Sequence, residues 1–161
     1  MKQKGYTLIE IMVVIVIIGV VASMGMPFVV EAVEAWITTQ EERDSLFVAR
    51  LAMQRMVREI RQLEDTSTIA TFTQAEFEFD KFEDAGPVNI TFSQSGTSLL
   101  RNANELAYGL VDPGGLVFEY LDQSLQATAV RDEIKMVRIT LIIDKGRTPV
   151  VLESLARFRN E

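Results

Sequence analysis

Residues 4–30 of the chain read KGYTLIEIMVVIVIIGVVASMGMPFVV, and this stretch decides the fold. After Glu10 no charged residue follows until Glu31, which leaves a run of twenty uncharged positions, 11–30. At about 1.5 Å per helical residue such a run spans roughly 30 Å, the thickness of the hydrocarbon core of a bilayer. In lipid the backbone must satisfy its own hydrogen bonds, so the run is predicted to be helical despite its many Ile and Val residues.

Three interpretations of this run compete. The first is a buried core helix, but twenty residues that are apolar on every face are too many for a small domain. The second is a secretory signal peptide, with Lys2 and Lys4 as its basic region and residues 21–23 (Val-Ala-Ser) as a small-residue cleavage site, although a signal peptide gains nothing from Glu10. The third is a retained membrane anchor. By the positive-inside rule, the two lysines then lie in the cytoplasm and the acidic residues from Glu31 onward lie outside.

The hexapeptide 5–10 (GYTLIE), after a short basic leader and before an apolar run, resembles the cleavage motif of type IV prepilins. Gly19 and Pro27 match the family at its usual offsets, whereas Tyr6 stands where the family usually has Phe. The resemblance implies that prepilin peptidase cuts between Gly5 and Tyr6 and that the new Tyr6 amine is methylated. It also implies that the leader is cytoplasmic and that the apolar run survives maturation.

Individual residues of the run carry expectations for assembly. An intramembrane carboxylate is costly and functional by default, so Glu10 needs a cationic partner, and the resemblance implies the Tyr6 amine of a neighbouring subunit. The other possibility is that Glu10 lies in the headgroup layer without a partner. Gly19 and Gly25 allow helices to approach closely in lipid. Pro27 is expected to kink or loosen the helix, or else to mark its end at the membrane surface.

Beyond the run, the segment from Glu31 to Glu64 contains no Gly or Pro. Its apolar residues recur every three or four positions, which predicts an amphipathic helix packed on the protein's own sheet. They are Leu46, Ala49, Met53, Met56, Ile60 and Leu63. Four arginines lie mostly off this stripe, at positions 50, 55, 58 and 61. Residues 41–44 (EERD) are interpreted as a solvated face or a subunit contact, and residues 65–67 are expected to end the helix.

After Thr66 the period changes to two, which predicts half-buried strands. Expected strands cover Phe77 with Phe79, then 88–92, 116–121, 134–143 and 150–152, followed by a short segment with Leu155 and Phe158. Residues 83–87 could form a hairpin between the first two. Strands at this spacing, without helices between them, suggest an antiparallel meander.

Composition limits the chemistry available to the chain. Its 161 residues suit one modest core, and its net charge of −7 disfavours general binding of nucleic acid. Because Cys and His are absent, disulfides, thiolate or imidazole metal ligands and Ser-His or Cys-His catalysis are impossible. Asp80, Glu83 and Asp84 have the oxygen ligands that calcium prefers, but they lack the spacing of a known calcium loop. An enzyme is therefore not expected, and neither is a cofactor.

The sequence predicts an α+β fold: a leader (1–5), a transmembrane and filament-core helix (6–30), an amphipathic helix (31–65) and an antiparallel β domain (66–161). A looser resemblance of residues 50–61 and of the chain's ending points to minor pilins and pseudopilins. Examples are mannose-sensitive-haemagglutinin pilus biogenesis proteins and the J-type pseudopilin of type II secretion. Major pilins usually carry a Cys pair, which this chain lacks.

The expected role is a subunit that assembles into, primes or caps a type IV pilus or a type II secretion pseudopilus at the bacterial inner membrane. The partners implied by the resemblance are prepilin peptidase, other pilins, an inner-membrane platform protein, the assembly ATPase acting through it, and a secretin. The alternative is a pilin-like binding module, either an adhesin or a DNA-uptake subunit. A basic patch interleaved with aromatic residues would favour DNA uptake, and Arg131, Lys135 and Arg138 are too scattered to form one.

Overall fold

One helix, α1, begins at Leu8 and ends at Ile60 and thus takes up 53 residues. The structure is a computed structural model that describes residues 7–83, 86–144 and 148–159, without the side chains of residues 41, 42 and 83. The chain divides into two compact units, 1–41 and 42–161, and α1 contributes to both. A long N-terminal helix packed against antiparallel sheets confirms the α+β class predicted from the sequence.

The second unit begins with the part of α1 that has an internal partner. Ala49, Met56 and Ile60 are completely buried, and they belong to the same apolar cluster as the strands that follow. Leu46, the first residue of the predicted stripe, is half-buried against that cluster. Ala52, which the three-and-four spacing did not include, is buried as well. The predicted amphipathic helix and the direction of its apolar face are therefore confirmed.

The helix ends earlier than the sequence suggested. Just beyond Ile60 the bonding becomes 3₁₀-like, because the amides of Gln62 and Leu63 donate to the carbonyls of Glu59 and Ile60 (both 3.1 Å), three residues back. Asp65 begins a separate 3₁₀ turn, Thr66–Thr68, and its carboxylate accepts a hydrogen bond from the amide of Ser67 (3.0 Å). That hydrogen bond lowers the pKa of Asp65. The prediction that 65–67 ends α1 is therefore wrong, because Asp65 caps the following turn.

Eight strands follow, in two antiparallel sheets over the described ranges. They are β1 (Ile69–Phe72), β2 (Glu76–Glu83), β3 (Gly86–Ser95), β4 (Ser98–Arg101), β5 (Asn104–Ala107), β6 (Leu116–Leu121), β7 (Met136–Ile143) and β8 (Val150–Arg157). Strands β1 to β5 form a meander in chain order, and β6, β7 and β8 form a second one. The antiparallel meander is confirmed in its connectivity, but it is divided between two sheets.

The core of the larger sheet follows the predicted alternation. Phe77 pairs with Phe92 and Phe79 with Ile90 across β2 and β3, and all four side chains are completely or almost completely buried. The predicted hairpin is present, since the pairing of β2 with β3 continues to the pair formed by Glu83 and Gly86. Burial on one face and polar residues on the other give this sheet a single side on which α1 and β6 can pack.

The smaller sheet contains a strand that is longer than predicted. Strand β8 runs to Arg157, which pairs with Met136 at the start of β7. Polar residues at Glu153 and Ser154 interrupt the apolar pattern of β8, and this interruption is the reason that the sequence indicated a strand ending at 152. Ala156 is nevertheless completely buried, so the strand continues to contribute to the core.

Ion pairs join elements of the second unit. Glu59, with only 6% of its surface exposed, lies between Arg55 of α1 (2.9 Å from Nε to Oε1) and Arg101 of β4 (2.8 Å from Nε to Oε2). Arg138 of β7 contacts carboxylates on both neighbouring strands, Glu119 and Glu153. The first group links the helix to the larger sheet, whereas the second lies on the exposed side of the smaller sheet.

Candidate assembly site

The carboxylate of Glu10 lies in the first turn of α1. The amide of Thr7, just before the helix, is 3.5 Å from Oε2 of Glu10, and the carbonyl of Thr7 accepts from the amides of Glu10 (3.1 Å) and Ile11 (3.3 Å). Thr7 and Glu10 therefore have the Thr-x-x-Glu spacing of a capping box, with the glutamate reaching back to the first amide. A contact of 3.5 Å is long for a hydrogen bond, so the exposed carboxylate retains capacity for a cation.

Every described residue of the run is exposed, as are all the other residues from 7 to 40. An 18-residue window of α1 has a mean hydropathy of 2.7, and none of it is buried within the protein. By length and composition this helix can cross a membrane. Apolar surface of this extent on all sides is unfavourable in water, so the segment is suited to lipid or to packing with other helices.

The glycines predicted to permit helix contact have open surroundings. A methyl group built on Gly19 or on Gly25 would meet nothing within 4 Å. Contacts within the described chain therefore do not require a glycine at either position. Close approach of a neighbouring helix in lipid at these glycines stays a prediction from the sequence.

Pro27 lies inside α1, and the helix continues beyond it to Ile60. The possibility that Pro27 marks the end of the helix is therefore wrong. Because proline has no amide hydrogen, the carbonyl of Ser23 receives no hydrogen bond from position 27. The hydroxyl of Ser23 in turn donates to the carbonyl of Val20 (2.8 Å). The helix is thus locally weakened at Pro27 without being interrupted.

Sequence reasoning missed two exposed aromatic side chains, one near the end of this run and one just beyond it. Phe28 and Trp36 are 72% and 66% exposed, and they line a shallow apolar hollow together with Val29, Ala32 and Val33. Tryptophan is enriched where a membrane-spanning helix meets water, and Trp36 follows the uncharged run by six residues. The signal was in the sequence, as the one Trp of the chain placed just beyond a membrane-length run.

Asp80 was considered as a calcium ligand, but in the structure its carboxylate contacts a side chain of the neighbouring strand. Its carboxylate accepts a hydrogen bond from the side-chain amide of Asn89 (3.0 Å), which also donates to Glu78 (3.2 Å). Asp84 and the side chain of Glu83 lie outside the described residues. Within the described part, no three Asp, Glu, His or Cys side chains form a group that could hold a metal ion.

Residues 1–26 match the family model for the prokaryotic N-terminal methylation motif. The chain carries the type IV pilin-like signature. The match covers the predicted cleavage point at Gly5 and Tyr6, which lies outside the described residues, together with Glu10 and Gly19. Neither a curated protein nor a solved structure matches the chain significantly.

The signature supports a type IV pilin-like protein and leaves the finer role open. It implies processing by prepilin peptidase and assembly with other pilins, and together with the apolar helix it supports anchoring in a membrane. Proteins of the pilin-like family are in general structural and not enzymatic. The matched residues end before Pro27, so the β domain contributes nothing to this assignment.

Proposed function

We propose that this pilin-like chain is a minor pilin or pseudopilin, a subunit that assembles into, primes or caps a type IV pilus or a type II secretion pseudopilus. The observation that carries the proposal is the pairing of the methylation motif with a helix segment that is apolar and exposed on every side. Such a segment needs lipid before assembly, and it can pack with other such helices afterwards.

In the proposed maturation, prepilin peptidase cuts between Gly5 and Tyr6 and the Tyr6 amine is methylated. The N-terminus then faces the cytoplasm and the second unit lies on the periplasmic side of the inner membrane. The motif at residues 1–26 and the absence of Lys and Arg between Gly5 and Arg43 support this orientation. The platform protein, the assembly ATPase acting through it and a secretin are the further proposed partners.

The start of the mature chain is the first experimental test. Intact-mass and N-terminal analysis of protein isolated from the membrane should give a chain beginning at Tyr6 with a methylated amine. In a Gly5→Ala variant, which should hinder entry of the leader into a protease cleft, we expect the precursor to accumulate. A mature chain that begins at Met24 would mean an ordinary signal peptide, and it would contradict the retained anchor.

Glu10 tests the assembly step separately from membrane insertion. A carboxylate in lipid costs about 2.5–3.5 kcal/mol on insertion scales, and a cation can recover part of this cost. The Glu10→Gln variant keeps the shape and loses the charge, so membrane levels should stay unchanged or rise while incorporation into filaments falls. The measurement compares filament and membrane fractions, with protease resistance of the second unit as the control for folding. Normal incorporation of both Glu10→Gln and Glu10→Ala would show that Glu10 has no part in docking.

A further inference from the structure

The side of α1 turned away from the sheets carries a row of positive charge, here called the arginine face. It consists of exposed residues at helical spacing: Arg43, Phe47, Arg50, Gln54, Arg58 and Arg61. None of the ion pairs or side-chain hydrogen bonds found in the described part of the chain involves these four arginines. A row of cations without partners is unexpected in a chain whose net charge is −7.

Helix electrostatics accounts for only part of this arrangement. Cations at the C-terminal end of a helix are favoured by its dipole, and this explains Arg58 in the last turn of α1 and Arg61 just beyond it. The effect fades within one turn, so it does not explain Arg43 and Arg50. Phe47, with 63% of its surface exposed, lies between those two arginines. Arginine beside exposed aromatic surface is the composition typical of a protein–protein interface.

A groove of about 390 Å³ adjoins the arginine face at its C-terminal end. Met53 and Val57 line it with apolar side chains, Arg58 and Arg61 supply positive charge, and Ser154 of β8 contributes from the smaller sheet. The face therefore offers shape and apolar surface as well as charge to a partner.

The complement to this face is present in the chain itself. No Lys or Arg occurs between Gly5 and Arg43, whereas residues 31–42 contain Glu31, Glu34, Glu41 and Glu42. Glu31 and Glu34 are exposed. The helix is therefore acidic over 31–42, here called the acidic segment, and basic over the segment that follows.

We propose that the arginine face binds the acidic segment of a second copy of this chain, displaced along the helix direction. A shift of sixteen residues places Glu34 opposite Arg50 and Glu42 opposite Arg58 at the same time. Such a head-to-tail contact leaves one face and one segment free at its two ends, so it can propagate along a filament. The inference rests on the proposed function in its first form, a subunit that assembles into the filament beside other copies, and it names the surface that sets the spacing of adjacent copies.

The displacement makes the contact selective for assembly. Two copies anchored at equal depth in a membrane place acidic segment beside acidic segment, which is repulsive. Only a copy that has moved along the helix direction presents opposite charges. The contact should therefore be absent in the membrane pool and present in the filament.

Cross-linking between copies tests this displacement directly, because the chain contains no native cysteine. Thr38→Cys and Gln54→Cys replace exposed neutral residues that are also sixteen positions apart, and they leave every charge in place. Two full-length copies with different tags, one with each cysteine, are expressed in cells that contain the assembly machinery. Under oxidation, the mixed dimer should form in the filament fraction, severalfold more than for the control pair Thr38→Cys and Gln62→Cys.

Charge reversal then tests the proposed contact. Arg50→Glu combined with Arg58→Glu should abolish the mixed dimer, and Glu34→Arg with Glu42→Arg in the other copy should restore it. Arg157→Glu with Arg159→Glu changes the charge equally outside the arginine face and should have no effect. An unchanged mixed dimer after reversal on the face would overturn the proposal.

The remaining outcomes separate this inference from the function on which it rests. Filaments that contain the chain but give no mixed dimer overturn the inference and leave the function intact. A chain that never enters filaments overturns both. A mixed dimer in cells without the assembly ATPase overturns the dependence on displacement. Binding of duplex DNA that is lost on reversal of Arg50 and Arg58, with no mixed dimer, would assign the face to nucleic acid instead.

Discussion

The two segments of α1 are both rich in apolar residues, but they differ in where those residues point. Residues 7–40 are exposed at every position, whereas residues 45–60 bury Ala49, Met56 and Ile60 completely. The second segment has apolar residues on one face only, and its partner is the protein's own sheet. The first is apolar on every side over residues 11–30 and has no packing partner in the described chain. An apolar helix without an internal partner indicates a surrounding of lipid or of other subunits.

Removal of the first segment should have the largest effect. We expect the fragment Val33–Glu161 to be soluble without detergent and to unfold cooperatively, because its apolar face is covered from within. The full chain should need detergent. Sedimentation and thermal unfolding followed by circular dichroism measure both properties. The fragment Val20–Glu161, which retains half of the apolar run, serves as the control and should aggregate. An insoluble Val33–Glu161, or one without a cooperative transition, would contradict the statement that the second segment has its apolar partner within the protein.

Regular periodicity made much of the fold predictable. The three-and-four spacing indicated the face of α1 that is buried, and the alternation around Phe77, Phe79 and Phe92 indicated strands β2 and β3. Residues 116–121 were predicted with the bounds of β6. In each case one face is buried over several turns or several alternating positions, so the pattern is long enough to be recognised.

Short elements and pairings set by tertiary contacts were not predictable. Strands β4 and β5 have only four residues each, joined by a turn in which Asn102 and Ala103 adopt positive φ angles of 48° and 65°. Asn favours such turns, but alanine there gives no signal. Glu59 looked like any charged helix residue, because its partner Arg101 is 42 positions away.

The candidate assembly site was likewise predictable only in part. Motif residues such as Glu10, Gly19 and Pro27 can be recognised in the sequence because a local pattern contains them. The capping contact between Thr7 and Glu10 and the arginine face emerged only once the helix start and the burial of each side chain were known. A solvated arginine and an interface arginine look alike in a sequence.

A substitution at Glu59 tests how strongly the second segment of α1 is held on its sheet. In Glu59→Gln, two arginines lose a carboxylate that is almost completely buried, and we expect a loss of about 2–3 kcal/mol in the free energy of unfolding. Glu153→Gln is the matched control, since its pair with Arg138 is exposed and should change stability by about 0.5 kcal/mol or less. Urea unfolding of Val33–Glu161 measures both. Equal effects of the two substitutions would mean that burial of Glu59 does not couple the helix to β4.

The smallest expected change in stability at neutral pH is at Tyr120. This residue also tests whether the core of the second unit behaves independently of the first segment. Its ring packs against Phe77 and Phe118, and its hydroxyl donates to the carbonyl of Thr73 (2.8 Å). Burial, assisted by the charge of Glu76, raises the pKa of Tyr120 above its ordinary value of 10.0. The folded state thus holds the phenol proton more tightly than the unfolded state. This contribution to stability is complete below pH 10 and declines as the pH rises above 10 towards the folded-state pKa.

Tyr120→Phe should therefore lower stability by about 1 kcal/mol at pH 7, because the hydrogen bond to Thr73 is lost. Above pH 10 the wild-type advantage should shrink, since only the wild type loses stability through this group. Urea midpoints across this range, for Val33–Glu161 and for the full chain in detergent, measure the difference. Tyr108→Phe, at a position 42% exposed, is the control. Parallel curves for wild type and Tyr120→Phe would contradict the raised pKa. A slope that differs between fragment and full chain would show that the first segment alters the core, and the two segments of α1 would then not be independent.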